Sequence, residues 1–305
     1  MKPLVECVPN FSFADDPALL EGFVHRVHEG GGHVLDASSD TDHQRSVVSF
    51  VALPERVVDI AAAMIELARE RIDLTRHVGV HPRIGACDVF PLIALDGVLE
   101  AECVALAHQL GHRVGTLSIP VYFYGKAAFS RARERLADVR RAGFEALARD
   151  LSQPDPDASL LPDVGPRRLH PSAGAVAIGV RPILIAFNIL LESAELATAR
   201  AIASTIRESS GGLEGIRALG LALESKGITQ VSVNVCDHGK TGLLTLFERV
   251  EAEAHRHGVV IRESELIGLA PRAALDAEIA SRVRLPGFEA TRHVLEDNLK
   301  KRLGS

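Results

Sequence analysis

Tryptophan is absent from this chain and tyrosine occurs only twice, so platforms for stacking single-stranded nucleic acid are scarce. Excess positive charge is also missing: 34 Lys and Arg stand against 40 Asp and Glu, a net −6 that argues against a general binder of nucleic acid or anionic membrane. The four cysteines, Cys7, Cys87, Cys103 and Cys236, are widely spaced and make no paired motif; each lies in an apolar context that reads as a buried, reduced thiol. No run of 18 apolar residues occurs, and the Met-Lys-Pro-Leu start lacks a signal-peptide core. These absences read as a reduced, cytoplasmic protein. Cofactor fingerprints are missing too. No Gly-x-Gly-x-x-Gly follows a strand, and no Gly-x-Ser-x-Gly elbow is present. Gly239-Lys240-Thr241 follows a strand and opens a helix, but the phosphate loop it resembles needs glycine where Asn234 stands. Gly30-Gly31-Gly32 follows a helix and precedes a strand, the wrong order for holding phosphate.

What is present is ordinary globular material, 47% hydrophobic and 24% charged over 305 residues, which suits two domains better than one small core. Apolar periodicity predicts strands at 4–8, 33–36 and 45–53, a helix at 16–28 after Asp15 or Asp16, and a second helix at 54–71 opened by Pro54. A polar loop is expected at 38–44. Strand 87–93, helix 98–115, strand 119–124 and a basic helical stretch at 128–150 follow. Residues 152–171 hold five of the 15 prolines without periodicity and read as a boundary, giving subdomains 1–171 and 172–305. The second half predicts strands at 174–180 and 182–191, helices at 193–208 and 214–226, strand 228–236, helix 241–257, strand 259–269 and a helical tail. Strands and helices intermixed with β-β hairpins point to an α+β fold of two α/β sandwiches with mixed sheets.

The densest chemistry lies between Arg76 and Asp88, in RHVGVHPRIGACD. Gly79, Pro82 and Gly85 exclude a regular helix or an unbroken central strand there. Arg76, His77, His81, Arg83 and Asp88 combine imidazole, fixed cations and a carboxylate, a set suited to moving a proton on an anionic substrate. His77 and His81 have the spacing of a two-histidine metal face, but Val78 stands where that motif wants Glu and no Cys-x-x-Cys lies nearby. No metal site is read here.

HPRIGACDVFP at 81–91, VECVPNFS at 5–12 and IPVYFYG at 119–125 together resemble the formiminotransferase domain family. The resemblance spans roughly residues 4–276 and takes in Arg45, Asp88, Pro120, Tyr122, Gly125, GVRPILIAFNI with Arg181 and Asn188, QVSVN at 230–234 and SELIGLAP at 264–271. It implies two ferredoxin-like subdomains with a folate held in a cleft between them, a homodimer, and tetrahydrofolate as co-substrate without metal or nucleotide. It implies His81 as the acid–base residue. The stretch Asp163, Val164, Gly165, Pro166, Arg167 and Arg168 resembles the family's folate-associated segment. Arg83 and Arg181 are candidates for the carboxylates of glutamate and of the folate tail, because a guanidinium forks onto a carboxylate. Asn188 joins them on the resemblance, with Asp40, Asp42, Arg45 and Asp88 in support.

The activity so implied is transfer of a formimidoyl group from N-formimidoylglutamate to N5 of tetrahydrofolate. Histidine suits it, since its ordinary pKa of about 6.5 lets one group take and return a proton near neutrality. The chain departs from the family pattern at several places. Phe13-Ala14 follows Ser12 where the family has Glu-Gly, Ser38 stands at the position of an Asp that accompanies the catalytic histidine, and Val80 and Lys126 each replace a Glu. Ala173 replaces a Trp. Asp40 or Asp42 is the carboxylate left to take over from the Asp missing at Ser38. The departures leave two further readings: a folate-binding relative using another one-carbon donor such as 5-formyltetrahydrofolate, and a non-catalytic member on the same scaffold.

Overall fold

Val5–Cys7 (β1) and Asn10–Phe11 (β2) run as one strand interrupted at Pro9, which has no N–H to give a ladder. Both halves pair antiparallel with the same two neighbours, Arg45–Ala52 (β4) and Cys87–Ala94 (β5). Between them in sequence come helix Pro17–Glu29 (α1), strand His33–Asp40 (β3) and helix Pro54–Arg71 (α2). Asp16 caps α1 by accepting the Leu19 N–H at 2.8 Å, and prolines open both helices, where their missing N–H costs nothing. The order β3-β4-β1/β2-β5 is that of a βαββαβ ferredoxin-like sandwich.

The chain then extends this sheet. Helix Glu100–Gly115 (α3) leads to strand Val121–Gly125 (β6), and short helices Leu136–Val139 (α4) and Gly143–Leu151 (α5) precede strand Val176–Val180 (β7). β7 enters between β5 and β6, parallel to both, and makes the sheet mixed. Helices α1, α2 and α3 cover one face with Phe11, Phe23, Phe50, Phe90 and Phe123 fully buried beneath them. Each such ring contributes roughly 2–3 kcal/mol by leaving water. On the opposite face Val89, Tyr122, Tyr124, Ala175 and Ala177 pack against Leu147 and Leu151 of α5.

The second unit repeats the plan. Strand Ile185–Leu191 (β8), helix Leu196–Ile206 (α6), strands Ile216–Leu223 (β9) and Ile228–Val235 (β10), helix Leu243–Arg256 (α7) and strand Ile261–Ile267 (β11) form a four-stranded sheet in the order β11-β8-β10-β9. Every pairing in it is antiparallel, so only the first sheet is mixed. Its core is Ile185, Phe187, Ile189 and Leu191 under Ile202, Ile206, Leu246, Phe247 and Val250. Short helices Ala277–Arg282 (α8), Ala290–His293 (α9) and Leu295–Leu303 (α10) close the chain. This computed structural model describes residues 3–77 and 83–304.

Three features differ from the sequence expectation. The chain divides at Arg181/Pro182 rather than at 171/172; strand 174–180, assigned above to the second half, is β7 and completes the first sheet. Residues 214–226 form strand β9 and a short turn instead of a helix. Ile216 and Ala218 are buried while Arg217 and Leu219 are exposed, and the β10 ladder outweighs the helical propensity of Arg, Ala, Leu and Glu. β3 also runs on through Asp40 into the stretch expected as loop, because Ser38, Ser39 and Asp40 pair with Val47, Ser46 and Arg45. No described helix is long and apolar enough to cross a membrane.

Candidate active site

β2, the β3–β4 turn and the start of β5 meet at one end of the first sheet. A small pocket there is lined by Asn10, Phe11, Ser12, Gln44, Arg45, His77, Arg83 and Asp88. Each wall has a local cause. Ser12 is held by its hydroxyl, which donates to the Gly85 carbonyl at 2.7 Å. Gly85 lies so near β7 that a Cβ on it would stand 1.7 Å from the Ala175 carbonyl oxygen, so this wall of the pocket admits only glycine.

The β3–β4 turn is built by Asp40. One carboxylate oxygen accepts the His43 backbone N–H at 2.9 Å and the other lies 2.8 Å from His43 Nδ1. Burial alone would raise the Asp40 pKa; the His43 hydrogen bonds and the charges of His43 and Arg45 win and hold it at about 2. His43 is itself buried. Gln44, at φ 47°, completes the turn and presents its carbonyl oxygen 3.0 Å from His77 Nε2. Arg83 reaches back across the same corner: its Nη2 donates to the His77 carbonyl at 3.2 Å and to Glu145 at 2.8 Å. Asp88, at the start of β5, accepts the Ile84 N–H at 2.8 Å and lies 3.2 Å from Arg140 Nε. Burial pushes its pKa up, against Arg140, the Ile84 N–H, Arg45 and Arg83. The corner thus offers cations and hydrogen-bonding groups around a buried carboxylate, an arrangement fit for an anionic ligand with polar hydrogens.

Of the residues singled out in the sequence, Arg45, Arg83 and Asp88 come together here, while Asp40 and Asp42 do not line the pocket. His81 lies outside the described residues; in sequence it falls between His77 and Arg83, both of which do line it. Asp163 is drawn elsewhere, onto β6, where one carboxylate oxygen accepts the Phe123 N–H at 2.8 Å and the other pairs with Arg133 at 2.7 Å. Val164 bridges to Val121, Gly165 and Pro166 follow it, and Arg167 and Arg168 are exposed. The proline-rich stretch is therefore strapped across β6, with the Tyr122 hydroxyl donating to Leu160 O and Arg133 to Ser159 O and Leu161 O. Arg181 ends the first unit beside Glu6 and Tyr124. Asn188 belongs to the second unit, where its amide donates to Glu265 at 3.1 Å.

Sequence reasoning passed over Asn10, Ser12, Gln44, His43 and Arg140. Nothing in their spacing ties them together; the β2–β4–β5 pairing gathers Asn10, Ser12 and Gln44, Asp40 brings in His43, and Asp88 brings in Arg140. None of the four cysteines is joined in a disulfide, and burial raises the pKa of Cys7, Cys87 and Cys103, so thiolate chemistry has no footing at these three.

Comparison with known proteins decides the family. The model of the formiminotransferase domain, N-terminal subdomain, matches residues 4–181, and that of the formiminotransferase domain matches 186–281. The chain belongs to the formiminotransferase domain family. Both matched segments fall within the two structural units. Relatives include the glutamate formimidoyltransferase of Streptococcus pyogenes serotype M1, 37% identical over 98% of this chain and 99% of that protein. That of Thermoplasma acidophilum is 38% identical over 98% of each. The formimidoyltransferase-cyclodeaminase of Mus musculus is 39% identical over 91% of this chain, which spans 52% of that longer protein.

Proposed function

We propose that this protein is a glutamate formimidoyltransferase, moving the formimidoyl group of N-formimidoyl-L-glutamate to N5 of tetrahydrofolate. The observation that carries the reading is near-full-length similarity to proteins so named, on a chain whose two units coincide with the two family models. N5 attacks the amidine carbon, a C–N5 bond forms, and the bond from that carbon to the glutamate nitrogen breaks. The hydrogen leaving N5 ends on the departing nitrogen, so the chemistry needs one group to carry a proton between them. His81 has that role in this reading. Arg83, held in place by the His77 carbonyl and Glu145, supplies a guanidinium for a substrate carboxylate, and Arg45 adds a second positive charge at the pocket wall. Arg181, Asn188 and the 163–168 segment complete the proposed ligand contacts. Tetrahydrofolate enters as co-substrate, and the same family resemblance implies a homodimer, which light scattering on the purified protein tests.

Incubation with both substrates and mass detection of 5-formimidoyltetrahydrofolate tests the activity. His81→Ala should lower turnover about 10²- to 10⁴-fold with unchanged circular dichroism. Absence of product from the wild-type protein would sink the reading, and equal turnover by the variant would remove His81 from it. Ser38, on β3 opposite Val47, carries no carboxylate, and this favours one alternative enough to include it: a folate-binding relative using another one-carbon donor such as 5-formyltetrahydrofolate, tested by offering that compound as the donor.

A further inference from the structure

His77 Nε2 stands 3.0 Å from the Gln44 carbonyl oxygen. A carbonyl oxygen only accepts, so Nε2 carries a hydrogen whatever the charge of the ring. In the neutral imidazole Nδ1 is then a bare lone pair. That atom is buried and has no hydrogen-bond partner among the described residues, an unusual state for a buried acceptor. The residue is held at two points, its ring by the Gln44 carbonyl on the β3–β4 turn and its backbone carbonyl by Arg83. Burial and the Arg83 charge lower the pKa of His77, opposed by hydrogen bonding to the Gln44 backbone, by Glu145 and by the residue's own backbone; Arg45 and Asp88 are the other charged groups lining the pocket. The net direction favours the neutral ring.

We propose that His77 is a second working imidazole of this pocket, whose Nδ1 accepts an N–H of the amidine donor and so orients the reacting carbon. The assignment rests on the transfer reading above. An uncharged acceptor suits this corner, because a carboxylate at the same place would pair with Arg45 or Arg83 as Asp88 does with Arg140. A neutral imidazole does not compete for the guanidinium groups of Arg45 and Arg83. It takes no proton in this role; that task stays with His81.

Two substitutions separate this role from a purely structural tether. In His77→Gln the amide reaches the place of Nε2 and can still donate to the Gln44 carbonyl, but the acceptor at Nδ1 is gone. In His77→Asn the amide oxygen stands near Nδ1 and the tether is lost. The proposal expects His77→Gln to fold normally and lose about 10- to 100-fold in kcat/KM for N-formimidoylglutamate, the scale of one hydrogen bond to a polar ligand, with His77→Asn retaining more. A Gln variant close to wild type, with or without an impaired Asn variant, overturns it. Nitrogen-15 NMR of labelled histidine, assigned with the variants, is the second measurement, and it decides where both variants are impaired alike. The His77 Nδ1 resonance should report a non-protonated nitrogen and move when N-formimidoylglutamate is added. An Nδ1 signal that stays put overturns the proposal. Wild-type transfer with a static signal rejects His77 alone, a moving signal without transfer rejects the reaction alone, and neither transfer nor movement rejects both.

Discussion

Glu6 and Asp163 show how differently two carboxylates can be used on the same sheet. Glu6, on β1, is buried, and burial raises its pKa from 4.5 to about 7 against the opposing charge of Arg181. It binds its proton more tightly in the folded state than unfolded. The stability this gives is full below pH 4.5 and is lost as pH rises through about 7. Glu6→Gln should therefore flatten the fall in Tm between those limits and melt several degrees above wild type on the alkaline side; calorimetry showing parallel curves would refute it. Asp163 instead anchors the proline-rich strap to Phe123 N and Arg133. Asp163→Ala leaves both partners short of an acceptor and should cost roughly 3 kcal/mol of stability, read from urea unfolding. Unchanged stability would refute the anchoring role, and weakened folate binding would support the ligand contact proposed for the same segment.

At the scale of elements, the helices with clean openings were legible. Pro17 after Asp16 and Pro54 after Leu53 start α1 and α2 where the sequence predicts, because capping chemistry is local. β9 was not legible. Its residues favour a helix, and only the β10 partner and the helix laid across it make it a strand. Gly220 records that packing: a Cβ there would lie 2.3 Å from Arg200 N of α6. Gly220→Val, though β-branched and suited to a strand by propensity, should destabilise by roughly 3 kcal/mol or more through overpacking. A thermal melt no lower than wild type would show that α6 can shift away at little cost. The basic stretch 128–150 broke into α4 and α5 because Gly143 turns the chain at φ 69°.

At the scale of the whole molecule, each unit has its own sheet, helices and core. The second has a complete βαββαβ order with Ile185, Phe187, Ile189, Ile202, Leu246 and Phe247 buried within it. A fragment of residues 182–305 should therefore fold by itself and unfold in one cooperative transition, followed by circular dichroism and calorimetry. A broad, non-cooperative melt would mean that its core is not self-sufficient. The first unit needs β7 to reach its full sheet, so a fragment cut at 171 should be far less stable than one ending at 181.

The residues alone determined the α+β class, the family resemblance and the closeness in sequence of Arg76, His77, His81, Arg83 and Asp88, since periodicity, capping and motif are written along the chain. They also placed Arg45 and Asp88 among the supporting residues. Tertiary structure decided the rest. The unit boundary moved to Arg181 because β7 adds in parallel to β5, a pairing between segments far apart in sequence. Asp163 became an anchor because β6 offers it the Phe123 N–H and the turn after β6 offers it the Arg133 guanidinium. His77 gained its open nitrogen because the β3–β4 turn, closed by Asp40 and His43, sets a carbonyl oxygen against the other one. Each of these outcomes depends on which backbone group a side chain meets across a sheet, and sequence order does not carry that distance.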